Sequence, residues 1–219
     1  MEVNAAIRIE DLGTMPYRDA WAVQESAHAD VLAGGPERIF LVEHPPVITF
    51  GRRPGVDRHL IASDEQLKSM GVEVVQSDRG GDITFHGPGQ LVAYPIIRLN
   101  DHRLSVGSYV RALETAVIAA LADMGIAARK DPAAIGVWVD EERPAKICAL
   151  GVRIRRGVSL HGIALNVTTD LNYFDLIVPC GLHGRSVTSM ERVLGANTPE
   201  MAVVKDALSK RLLATLCSE

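Results

Sequence analysis

Apolar residues along the chain follow two rhythms. "AAIRIE" (5–10), "RIFLVE" (38–43) and "VEVVQS" (72–77) carry strand-like spacing, and "VITF" marks a shorter strand inside the shaped loop "HPPVITFGRRPG" (44–55). "LVAYPIIRL" (91–99) is almost continuously apolar. Pro95 has no N–H to give a ladder, which predicts an edge strand or a bulge. "IGVWVD", "KICALGVRI" and "VSLHGIALNV" then read as three successive strands with glycine-containing turns. The helical rhythm appears over 16–33, with Trp21, Val23, Ala27, Val31 and Leu32 ahead of a Gly34-Gly35 stop. It returns over 105–124, where Val106, Val110, Leu113, Val117 and Leu121 form one stripe. Ser63 and Gln66 have capping-box spacing for a short helix ending at Gly71. A last helix follows Thr198, read as its N-cap, and Pro199, read as its first residue.

Strands and helices alternate early and give way to a strand meander. That order predicts an α+β fold: a mixed, largely antiparallel sheet or sheets flanked by helices, not a doubly wound nucleotide-binding sheet. No repeat, low-complexity tract or linker interrupts the 219 residues, so 1–219 reads as a single domain.

Composition narrows the function classes. Hydrophobic residues make up 47% and charged residues 23%, ordinary globular usage, and the net charge of −4 argues against a nucleic-acid partner. The one local basic run is Arg153, Arg155 and Arg156, a candidate docking patch for an acidic protein. No basic-then-apolar leader and no apolar run of ~20 residues is present, so neither secretion nor a membrane is expected. Cys148, Cys180 and Cys217 have no C-x-x-C spacing, and His44 and His183 have no ligand spacing, so disulfides and a metal are not expected and a cytoplasmic home is.

Four stretches carry chemistry. "RGGDITFHGPGQ" (79–90) lets backbone approach a ligand closely, and Arg79 and His86 add placed polarity. It is neither a Walker loop nor a dinucleotide fingerprint, and it reads equally as a decorated hairpin. In "LIVPCGL" (176–182), Cys180 sits on a turn after an apolar, strand-like run, where a thiol is both exposed and held. Cys148 reads as buried filler and Cys217 as incidental. Lys146 shares the strand face of Cys148, Leu150, Val152 and Ile154. It is either a strand-start lysine reaching water or a partly buried base. His161 reads as a hydrogen-bonded core histidine, and Gly162 beside it marks close approach by a ligand or another backbone.

Taken in order over residues 40–185, "EHPPVITFGR", "RGGDITFHGPGQLVAYPII", "KICALGVRIRRGVSLHGIALNV" and "FDLIVPCGL" resemble the lipoyl(octanoyl)transferases. The resemblance implies a fold like the biotin and lipoate protein ligases. It implies Cys180 as the acyl-thioester nucleophile and Lys146 as the group that lowers its pKa. It also implies an acyl pocket lined by Arg79, Gly80, Gly81, Asp82, Ile83, Thr84, Phe85 and His86, by Ala149, Leu150 and Gly151, and by Gly162, Ile163 and Ala164. The implied donor is octanoyl-acyl carrier protein. The implied acceptors are apo lipoyl domains of 2-oxoacid dehydrogenases and the glycine cleavage H protein. No cofactor is implied, and a monomer is. The rivals are an ATP-dependent lipoate or biotin ligase of the same fold, a non-catalytic carrier- or lipoyl-domain-binding protein, and an amidotransferase moving octanoyl between lipoyl domains.

Overall fold

The structure is a computed structural model and describes residues 7–140, 144–178 and 186–217. A larger sheet runs in the order β1 (Arg8–Thr14), β2 (Arg38–Glu43), β6 (Gln90–Ile96), β10 (Val158–Asn166), β9 (Ala145–Arg155), β8 (Ala134–Val139) and β7 (Ala128–Asp131). β1 pairs with β2 in parallel and the rest of this path is antiparallel. A short β11 (Ser186–Val187) lies parallel to the start of β9. A smaller sheet places β3 (Val47–Phe50) between β4 (Glu73–Gln76), parallel, and β5 (Thr84–His86), antiparallel. This is the mixed, largely antiparallel α+β arrangement expected from the element order.

Strand alternation divides the larger sheet into two cores. Ile39, Leu41, Leu91 and Ala93 face α3 (Val106–Asp123) and α5 (Met201–Leu216), while Phe40, Val42, Val92 and Tyr94 face α1 (Tyr17–Leu32). The buried stripe of α1 includes polar Gln24 and His28. Each satisfies backbone it covers: Gln24 Oε1 accepts from His161 N at 2.8 Å, and His28 Nε2 meets Arg155 O at 3.0 Å. A third core, with Ile48, Ile83, Phe85 and Phe174, fills the space under the smaller sheet. The Ser63–Gln66 capping box is present at α2 (Asp64–Ser69).

Several expectations are corrected. Pro95 is not on an edge strand, since β6 lies between β2 and β10, so of the two expectations only a local irregularity is left. Counting on from the Ile163–Ala93 pair, His161 stands opposite Pro95, and its φ is +57°. The missing proline N–H is thus tolerated at a local break in the ladder, while Pro95 O accepts from Ser159 Oγ at 2.7 Å. A Cβ on Gly162 would come within 2.1 Å of Ala93 O, so this glycine serves close approach of another backbone. Val106 is 52% exposed, because the first turn of α3 projects past the core. The last helix begins at Met201 with Glu200 as N-cap. Thr198 instead closes a preceding 3-10 turn through Oγ1 to Gly195 O. The run before Cys180 is a 3-10 helix, Leu171–Leu176, followed by a single bridge from Ile177 to Leu60.

Candidate active site

A cavity of about 380 Å³ opens between the glycine-rich loop and the middle of the larger sheet. It falls within the ~300–1,000 Å³ range of small-molecule sites, near the lower end. The loop reaches the sheet because two glycines meet. Gly80 N donates to Val152 O at 3.0 Å, and Cβ atoms at Gly80 and Gly151 would lie 2.7 Å from Val152 O and 2.9 Å from Gly80 O. Any side chain there would push the loop off β9 and close the cavity wall.

The structure gathers nearly all the sequence-predicted residues around this cavity. Arg79, Gly80, Gly81, Asp82, Ile83, Thr84 and His86 line it with Ala149, Leu150, Gly151, Gly162, Ile163, Ala164 and Lys146. Phe85 does not. It lies on β5 between Thr84 and His86, so alternation turns it into the third core, stacked on Tyr173 at 4.6 Å between ring centroids. Cys180, the predicted nucleophile, lies outside the described residues. Its neighbours in the chain are placed: Val178 N donates to His59 O at 2.7 Å, and Val187 pairs with Lys146 in β11.

Lys146 reaches the cavity wall, where Nζ donates to Ile135 O at 3.0 Å and sits 4.9 Å from the Trp138 ring centroid. The face-sharing expected for it fails, since Leu150, Val152 and Ile154 pack with Cys148 against the first core. The register with β8 shifts between Val137 and Trp138, so β9 carries an extra residue there and Cys148 turns into the core. Cys148 is fully buried, and burial pushes its thiol up to about 12. That is a protonated, inert sulfur.

Arg79 is nearly buried. Its guanidinium donates to Thr49 Oγ1 at 3.1 Å, Thr49 O at 2.6 Å and Gly80 O at 3.0 Å, which ties the glycine loop to β3. Asp82 is also buried and accepts from His59 Nδ1 at 2.6 Å, Ile83 N at 2.7 Å and exposed Arg53 at 3.3 Å. Its carboxyl is held below the usual range by the His59 and Ile83 hydrogen bonds and Arg53, against the opposing effect of burial.

The sequence did not single out Tyr17 and Tyr94. With His86 and His161 they form the aromatic part of the lining, with His44 behind. His44 donates from Nδ1 to Met15 O at 2.7 Å and accepts from Tyr94 OH at 2.8 Å on Nε2, a neutral ring that burial holds down to about 4. His161 is a buried, hydrogen-bonded histidine, as expected, and also faces the cavity. Its Nε2 meets Asp78 at 2.6 Å, and Asp78 is shared with Arg153. Burial together with the Arg79 and Arg153 cations lowers this ring to about 3. The proposed basic patch is thereby largely spent inside the chain, since Arg153 pairs with Asp78 and Arg155 with Glu25.

The family model for the lipoyl protein ligase A/B catalytic domain matches residues 16–213. An octanoyltransferase of Roseiflexus sp. (strain RS-1) is 46% identical, the match covering 97% of this chain and 86% of that protein. Among solved structures, the bi-partite lipoate protein ligase of Thermoplasma acidophilum, studied with its E2 lipoyl domain, superposes with a TM-score of 0.72 at 17% identity, covering 96% of this chain and 83% of that one. The biotin protein ligase of Aquifex aeolicus gives 0.53 at 14% identity, covering 95% and 68%. The low identities of these two speak to fold alone, and the matched domain and the octanoyltransferase relative speak to kinship: this chain belongs to the lipoyl protein ligase A/B catalytic-domain family and is a transferase of its octanoyltransferase branch.

Proposed function

We propose that the chain moves an octanoyl group from a thioester on acyl carrier protein to the target lysine of apo lipoyl domains, by way of a thioester on Cys180. The observation that carries this reading is the placement of Lys146. It stands in the wall of a cavity of acyl size, and β11, which begins six residues after Cys180 in the sequence, pairs Val187 with it.

In the first half-reaction the Cys180 thiolate attacks the donor carbonyl, a new C–S bond forms, and the carrier thiol leaves. Lys146 holds the proton taken from the cysteine and returns it to the departing sulfur. The tetrahedral oxyanion takes hydrogen bonds from backbone N–H groups of the surrounding loops. In the second half-reaction the acceptor amine attacks the acyl-enzyme, the C–S bond breaks as the amide forms, Lys146 takes the proton the amine loses, and Cys180 leaves as thiolate. Exchange of one thioester for another is nearly isoenergetic and thioester to amide is downhill, so no ATP enters. The tail lies against Leu150, Val152, Ile163 and Val92, and each buried methylene adds ~0.8 kcal/mol of binding. The reaction is placed in the cytoplasm, with the enzyme a monomer.

Cys148 offers no alternative thiol, because its sulfur is buried and protonated. An ATP-dependent ligase would require activation of a free acid. The test is a transfer assay with purified octanoyl-carrier protein and an apo lipoyl domain. Octanoylated domain without nucleotide is the expected result. Product only from free octanoate plus ATP would overturn the reading.

A further inference from the structure

Three successive residues at the cavity wall and just behind it, Ala134, Ile135 and Gly136, are tied by side chains from β8, β9 and α3. Trp138 Nε1, on β8, donates to Ala134 O at 3.1 Å. Lys146 Nζ, on β9, donates to Ile135 O at 3.0 Å. Gly136 N donates to Glu114 Oε1, on α3, at 3.1 Å. Ala134 and Ile135 both line the cavity.

The arrangement is built around the lysine. Trp138 is the cross-strand partner of Lys146, and its ring lies 4.9 Å under the ammonium. Both residues flank the register shift that turns Lys146 toward the cavity. Gly136 has φ of +135°, and a Cβ there would approach Lys146 Cε to 3.0 Å, Cδ to 3.2 Å and Cys148 O to 2.9 Å. The lysine stem therefore runs across bare backbone. Glu114 is the unexpected member. It is a carboxylate only 6% exposed on the core-facing side of α3, between Leu113 and Ala116 in the buried stripe. Burying a carboxylate is costly unless it is hydrogen-bonded, and Gly136 N–H is a partner it meets there.

We propose that Glu114 and Trp138 are positioning residues that, through the segment Ala134–Ile135–Gly136, hold the Lys146 ammonium where acyl transfer needs it. Neither touches the acyl group's reacting atoms; they act by fixing the carbonyl and the ring on which the ammonium rests. This rests on the reading of Lys146 as the proton-holding group. A shift of about 1 Å in such a group costs up to ~10²-fold in rate, while substrate binding elsewhere in the cavity is untouched.

The experiment measures kcat and KM for octanoyl-carrier protein in Lys146→Ala, Glu114→Leu, Glu114→Gln, Trp138→Leu and Trp138→Phe, each checked for folding by circular dichroism. The expected result is loss of transfer in Lys146→Ala and a drop in kcat of about tenfold or more in Glu114→Leu and Trp138→Leu, with donor KM within about twofold. Glu114→Gln, which keeps the acceptor oxygen, should recover most of kcat, and Trp138→Phe, which keeps a ring face but not the Ala134 tie, should recover only part of it. Should the leucine variants fail to fold, the conservative pair decides: Trp138→Phe loses the Ala134 tie and should still fall several-fold in kcat, below Glu114→Gln, at unchanged KM. Folded Glu114→Leu and Trp138→Leu at wild-type kcat, with Lys146→Ala inactive, would overturn the positioning role alone. An active Lys146→Ala would overturn both this and the reading beneath it.

Discussion

His86 Nδ1 donates to Gln90 Oε1 over 2.7 Å, four residues along the same loop. The donor sense is fixed, because Gln90 Nε2 gives its hydrogens to Phe85 O at 3.1 Å and Asn166 Oδ1 at 2.9 Å. Asn166 Nδ2 continues the chain to Thr188 O at 3.0 Å. Burial, with the neighbouring His44 and Arg79, holds the His86 ring well below its ordinary pKa, and so neutral. Gln90→Leu would strand the His86 N–H and the Asn166 carbonyl. The expected cost is on the order of 2–4 kcal/mol, read as a lowered melting temperature. An unchanged melting temperature would show that the network is not needed for stability.

The buried histidines give stability a pH dependence of known sign. His44 titrates at 6.5 when unfolded and at about 4 when folded. Between those values the unfolded chain binds more protons, so falling pH favours unfolding; above 6.5 this group contributes no slope. For His44 alone the loss reaches about 3 kcal/mol by pH 4, and His86 and His161 act in the same direction. Melting temperatures should fall from pH 6.5 toward 4, less steeply in His44→Gln. Parallel pH curves for wild type and His44→Gln would contradict this.

Leu150 is partly buried, packs against the first core and also lines the cavity, so a larger side chain there takes up cavity space. Leu150→Phe should lower kcat/KM for octanoyl donor by about tenfold relative to butyryl donor, since each excluded methylene removes ~1 kcal/mol or more. Competition assays with the two carrier-bound acyl groups measure the ratio directly. A ratio equal to that of wild type would place the acyl chain elsewhere.

Cys148 should be silent. In folded protein at pH 8, iodoacetamide followed by peptide mapping should label Cys180 and leave Cys148 unmodified, because the Cys148 thiol is buried and pushed up to about 12. Cys148→Ser should retain transfer and lose about 1–3 kcal/mol of stability for the hydroxyl placed in the core. An inactive yet folded Cys148→Ser would move the nucleophile.

Periodicity made most of the fold legible, and the failures have physical causes. "RIFLVE" reads as a strand and is one over the same residues, because its two faces feed two different cores. β7, "ARKD", carries no apolar rhythm, since it pairs at the sheet's edge and none of its side chains is fully buried. Pro95 misleads because the break that accommodates it lies in the partner strand, at His161. At the site, the glycine loop, Lys146 and Gly162 announce themselves by residue type. Tyr17 and Tyr94 do not, because a tyrosine on a helix start or in an apolar strand looks like ordinary core until the chain folds it against His86 and His44. Phe85 shows the opposite error. It sits inside the most telling motif, yet the alternation of a three-residue strand turns it away from the cavity.

Intact mass spectrometry reads the proposed thioester on Cys180 without an intervening assay. Purified protein is mixed with octanoyl-carrier protein, with neither nucleotide nor acceptor present. The protein should gain one octanoyl group, removed by hydroxylamine, absent in Cys180→Ser and present in Cys148→Ser. Fully folded protein that gains no mass, yet octanoylates a lipoyl domain when free octanoate and ATP are supplied, would contradict it.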